Sequence, residues 1–105
     1  PHVADFDDKK TVKVVSLDNT CRMQQVNDGC FARIDDVPKY ALTLTIPALI
    51  ASEYIFCIVP AKTKADAVKA TLTGPIDVSC PASILRKHKN AVLYLDTDSA
   101  SNILN

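Results

Sequence analysis

The stretch from Tyr54 to Leu72, YIFCIVPAKTKADAVKATL, limits the possible folds of this chain more than any other. Its apolar run from Ile55 to Pro60 reads as a buried strand with both faces covered. A short loop follows. Then Ala61, Ala65, Val68 and Leu72 fall on one face of an amphipathic helix over about Lys62 to Leu72. Lys62 and Lys64 sit where that helix begins. A helix start carries partial positive charge and unpaired N–H groups, so lysines there are locally unfavourable. They make sense if an anion binds, and phosphate is the usual anion at a strand-to-helix turn. Solvated loop lysines are the other reading, and spacing alone favours it, because isolated lysines are common on surfaces.

The rest of the chain supplies similar elements. Residues 1–10, PHVADFDDKK, read as a polar arm. Thr11 to Leu17 is a β-branched strand. Asp18 caps a helix over Asn19 to Asn27, and Asp28-Gly29 ends it. Cys30 to Pro38 is a connector. Tyr40 to Ile46 alternates as a strand, and Pro47 suits the first turn of a short helix, Ala48 to Ser52. Glu53 to Val59 is the next strand. Thr73-Gly74-Pro75 closes the helix after it. Pro81 to Lys87 reads as a short helix capped from Ser79, Ala91 to Leu95 as a strand, and Asp96 to Leu104 as a last helix capped by Asp96 or Thr97. This alternation argues for a single α/β domain, a mainly parallel sheet with flanking helices. Ligands of open α/β sheets bind beyond the carboxyl ends of strands. Val59 to Lys64 lies at such an end.

Composition narrows the function. Twelve basic residues balance twelve acidic ones, so nucleic acid is not a favoured partner. The longest apolar run is too short to span a bilayer. Only two glycines occur, and no Gly-rich phosphate loop is present. The cysteines, Cys21, Cys30, Cys57 and Cys80, lack zinc spacing, and Cys57 reads as a core residue. A reducing, cytoplasmic setting is expected, with no metal and no cofactor. The chain starts at Pro1 and its only Met is Met23, which reads as a processed product or a piece of something longer.

Few side chains suggest catalysis. Neighbouring carboxylates point apart on a strand, so Asp7-Asp8 and Asp35-Asp36 read as solvated loop charge. His2 lies in the arm. His88, between two lysines at a helix end, reads as structural. Arg22 could reach an anion from the first helix, although a surface role suits it better.

Four segments in order carry a resemblance: LDNTCRMQQVNDGCF, DDVPKYALTLTIPALIAS, FCIVPAKTKADAVKATLTG and CPASILRKHKNAVLYLD. Together they resemble the C-terminal part of the glucosamine-6-phosphate deaminase (isomerase) family. The resemblance implies a Rossmann-like fold shared with ribose-5-phosphate isomerase. It also implies conversion of glucosamine 6-phosphate to fructose 6-phosphate and ammonia. It assigns the substrate phosphate to Lys64. The family's acid/base segment precedes the matched region, so this chain is expected to be inactive alone. A second phosphate-binding arginine is not evident after the first helix, where only Arg22 or Arg33 could replace it. Val12-Lys13-Val14-Val15 lacks the polar element of allosteric members. The expected partner is a phosphorylated amino sugar, with self-association through exposed strand edges. A 6-phosphogluconolactonase-like enzyme and a non-catalytic sugar-phosphate-sensing domain are the alternatives.

Overall fold

The computed structural model describes residues 4–104, so His2 lies outside the described residues. Among the described residues, four strands form two separate pairs. Strands β1 (Val12–Ser16) and β2 (Tyr40–Leu44) are antiparallel, with Val14 opposite Leu42. Strands β3 (Ile55–Val59) and β4 (Ala91–Leu95) are parallel, with Cys57 opposite Leu93. The architecture is therefore mixed α/β with small sheets.

A mainly parallel sheet is corrected on this point, and the reason is local. After β1 the chain runs through α1 (Asn19–Asn27) and turns back at Gly29, whose φ of +81° suits glycine. It then descends through a 3-10 turn at Ile34–Asp36, inside the connector. The Leu17 N–H donates to the Lys39 carbonyl at 2.8 Å. The excursion thus ends beside the point where it left β1, and β2 must run the other way. Alternating β-branched residues specify a strand but not its direction.

Helix α1 matches the expected span, with Asp18 as its cap. Helix α2 (Ile46–Ile50) starts earlier than expected, because Thr45 caps it. The Thr45 hydroxyl accepts the Ala48 N–H at 3.4 Å and donates to the Lys10 carbonyl at 2.6 Å. The end of the expected arm is therefore tied to the fold. Asp8 also pairs with Lys13 at 2.7 Å, with both side chains largely covered. It is not the solvated charge that the sequence suggests.

The helix expected from Lys62 begins as a 3-10 turn, Lys62–Lys64, and becomes α3 only at Ala65–Thr73. Pro81–Lys87 is 3-10 throughout and has no side-chain cap from Ser79. There the Ser83 hydroxyl donates to the Cys80 carbonyl at 2.6 Å and holds the tighter turn. The last expected helix is a series of turns. Residues 97–102, TDSASN, offer side-chain partners that compete with helical bonds.

Among the described residues the buried apolar side chains are small: Val37, Ala65, Val68 and Ala100. Buried Ala65, Val68 and Thr71 form the inner face of α3, which packs on the 81–87 segment. The larger apolar side chains lie outward. Val14, Leu42, Phe56, Ile58 and Tyr94 are all exposed, and Phe56 stacks on Tyr94 with ring centroids 6.4 Å apart. The expectation that β3 is covered on both faces does not hold in the described residues: Ile55, Cys57 and Val59 are half-buried, and Phe56 and Ile58 are exposed.

Candidate functional site

The carboxyl ends of β3 and β4 lie side by side because the strands are parallel and in register, Val59 opposite Leu95. Beyond β3 the chain enters Pro60 and Ala61. Ala61 takes φ 83° and ψ 149°, and among the described residues it alone, apart from glycine, has positive φ. The Lys64 N–H donates to the Ala61 carbonyl at 3.2 Å, which closes the 3-10 turn that leads into α3.

Lys64 occupies the N-cap position of α3, and no side chain caps this helix. The N–H groups of Lys64 and Ala65 are taken by the carbonyls of Ala61 and Lys62, so the 3-10 turn runs directly into α3. Lys64 is half-buried, whereas Lys62 is exposed. Beyond β4, Asp96 accepts the Ala61 N–H at 3.0 Å through Oδ2. Its Oδ1 accepts the Ser99 N–H at 2.7 Å. The Ser99 bond first, and the Ala61 bond second, hold the Asp96 carboxyl below its ordinary range.

The start of α1 carries another capping carboxylate. Asp18 caps α1 by accepting the Cys21 N–H at 2.7 Å, and this contact keeps its carboxyl below the usual value. Its bond to the thiol pushes the Cys21 pKa up, burial adds to the rise, and the ammonium of Lys64 pulls the other way.

The two arginines are spent elsewhere. Arg22 Nη2 donates to the carbonyls of Ile34 at 2.9 Å and Val37 at 3.1 Å, while its Nε is buried without a partner. It pins the connector onto α1. Arg33 is an exposed residue 3.4 Å from Asp35. His88 bridges the amino ends of β3 and β4, its Nε2 2.6 Å from the Ser52 carbonyl and its Nδ1 accepting the Asn90 N–H at 3.0 Å. This supports a structural role, made by loop bridging rather than by a helix end.

An apolar cavity of about 430 Å³ lies among α2, β3 and the 81–87 segment, lined by residues such as Leu49, Tyr54, Phe56 and Ile84. Lys64 is not in its walls, and the lining lacks charge, so it is unsuited to an anion. Among the described residues no cluster of His, Cys, Asp or Glu could hold a metal ion. No helix among them is long and apolar enough to cross a membrane.

Lys64 lies at the strand end where the sequence places it, whereas Ala61 carries no sequence signal as a strained residue and Asp96 reads in the sequence only as a helix cap. The available signal was an acidic residue directly after an apolar strand, beside the carboxyl end that carries the lysine.

No family model matches the chain. It is 37% identical over 94 residues to the glucosamine-6-phosphate deaminase of Listeria welshimeri, covering 90% of this chain and 39% of the relative. It is 40% identical over 79 residues to that of Pseudoalteromonas translucida, covering 75% of this chain and 30% of the relative. The solved structure of a monomeric glucosamine-6-phosphate deaminase superposes with a TM-score of 0.84 at 36% identity, over 95% of this chain and 40% of that one. The 6-phosphogluconolactonase from Trypanosoma cruzi gives a TM-score of 0.64 at 19% identity, over 97% of this chain and 33% of its own. The second likeness is one of fold alone. The chain spans about two fifths of the length of the first of these relatives.

Proposed function

We propose that this chain, which is related to the glucosamine-6-phosphate deaminase family, carries the substrate-phosphate end of a deaminase site. Lys64 and the first-turn N–H groups of α3 bind the phosphate of an amino-sugar 6-phosphate. The overall reaction of the intact site converts glucosamine 6-phosphate to fructose 6-phosphate and ammonia in cytoplasmic amino-sugar metabolism. The observation that carries this reading is the half-buried Lys64 at the uncapped start of α3, beyond the carboxyl end of a parallel strand.

The physical case is one of convergence. A phosphate dianion meets the positive end of the α3 dipole and the half-buried Lys64. Each interaction is modest in water, and each strengthens where solvent is partly excluded. In this reading the β3–β4 pair, apolar on both faces, belongs to a larger Rossmann-like parallel sheet.

Titration with glucosamine 6-phosphate, glucosamine and 6-phosphogluconate tests the proposal. Binding of glucosamine 6-phosphate with none of unphosphorylated glucosamine is expected. Preference for 6-phosphogluconate would favour the lactonase-like alternative, and equal binding of the sugar with and without phosphate would reject the site.

A further inference from the structure

We propose that Asp96 is a positioning residue for the anion loop, holding Ala61 in a conformation that an L-residue otherwise avoids and thereby aiming Lys64. This inference rests on the phosphate reading of Lys64 above.

The argument begins at Ala61. Its φ of 83° with ψ of 149° lies in a region populated almost entirely by glycine. Such a conformation persists only where surrounding contacts enforce it. The enforcing contact is the Ala61 N–H, which donates to Asp96 Oδ2 at 3.0 Å. Asp96 is itself fixed. Its Oδ1 takes the Ser99 N–H at 2.7 Å, and the fully buried Ser99 hydroxyl accepts the Asp96 N–H at 3.1 Å. The constraint then passes along the chain. The Ala61 carbonyl accepts from Lys64, and the Lys62 carbonyl accepts from Ala65, so the 3-10 turn is rigidly joined to α3.

A purely structural turn would be served better by glycine, which adopts this geometry without strain. Strain placed directly before Lys62–Lys64, and opposed by a carboxylate from the neighbouring strand end, fits a loop held ready for a ligand. The carboxylate stays ionised because two N–H groups favour its charged form. It points at the backbone of Ala61, which leaves the α3 N-terminus for the incoming anion.

The test uses the full chain, with inorganic phosphate and glucosamine 6-phosphate as probes in calorimetric titrations. Asp96→Ala should lower affinity by roughly tenfold. Adding Ala61→Gly to that variant should restore most of the loss, because glycine no longer needs the carboxylate. Ala61→Gly alone should bind within about twofold of the unsubstituted chain. Loss of the Ser99 cap lowers thermal stability in Asp96→Ala, and Ala61→Gly has no means of repairing that cap. Affinity rescue therefore separates positioning from mere folding. Asp96→Asn keeps one acceptor oxygen and carries the same test if Asp96→Ala does not fold. Lys64-dependent binding that survives Asp96→Ala, or a loss that Ala61→Gly fails to rescue, overturns this inference alone. Absence of Lys64-dependent binding in the unsubstituted chain overturns the functional reading beneath it.

Discussion

Arg22 and Val37 are joined by a hydrogen bond of 3.1 Å from the guanidinium Nη2 to the backbone carbonyl, and the same nitrogen reaches the Ile34 carbonyl. Val37 is buried, so this contact fastens the connector between β1 and β2 to helix α1. An arginine engaged in this way acts as a brace between helix and connector.

Arg22→Ala should therefore affect folding rather than ligand affinity. Loss of two charge-assisted bonds to partly buried carbonyls should cost about 2–3 kcal/mol. Denaturant unfolding and phosphate titration measure the two effects separately. A normal melt with a large loss of phosphate affinity would make Arg22 the missing second ligand.

Cys21 should report the charge on Lys64. The Asp18 contact raises its pKa, and the ammonium opposes that rise. Lys64→Ala should raise the pKa further, and saturating phosphate should do the same by neutralising the ammonium. The pH dependence of iodoacetamide labelling, followed by mass spectrometry at Cys21, measures this. A pKa unmoved by either change would separate the start of α1 from the anion site.

Acid should unfold the chain through three carboxylates. Asp8 is held below its ordinary value of 3.8 chiefly by Lys13, Asp18 by the Cys21 N–H, and Asp96 by the Ser99 N–H. A carboxylate with a lower pKa in the folded state stabilises that state while ionised. Its contribution is complete above the ordinary value and is lost as pH falls through the folded value. Melting temperature should be flat from neutral pH to about 5 and fall below about 4. Asp8→Asn should make the fall shallower, and an unchanged slope would contradict its assignment.

The sheet faces should tolerate change where the inner face of α3 does not. Val68 is 3% exposed and Ile58 is 73% exposed. Val68→Ala should cost about 1.5–3 kcal/mol, and Ile58→Thr about 0.5 or less, since threonine keeps β-branching. Urea unfolding of both variants checks this. A larger loss at Ile58 would show that the open face is covered in solution, and a concentration-dependent transition would identify a second copy as its cover.

The local elements were legible in the sequence where one short-range signal dominates. Asp18 marks the start of α1, the run Ile55–Val59 marks β3, and Ala91–Leu95 marks β4. Strand direction was not legible, because it depends on where the Gly29 turn and the Arg22 brace return the chain. Lys64 stood out because a lysine at a helix start opposes local electrostatics. Asp96 and Ala61 stayed hidden because they meet through a bond between residues 35 positions apart. The tight turn at Pro81–Lys87 was hidden likewise, since the Ser83 hydroxyl rather than any propensity selects it.

Comparison of Lys64→Ala with Lys62→Ala in phosphate and glucosamine 6-phosphate titrations tests the central claim most directly. Lys64 is half-buried at the uncapped start of α3, while Lys62 is exposed two residues earlier in the same loop. Lys64→Ala should lose about 1.5–3 kcal/mol of binding, roughly tenfold to a hundredfold in affinity. Its melting temperature should hold, because alanine favours the helix and relieves an adverse dipole interaction. Lys62→Ala should lose much less. Equal losses from the two substitutions, or none from Lys64→Ala, would contradict the placement of the phosphate site.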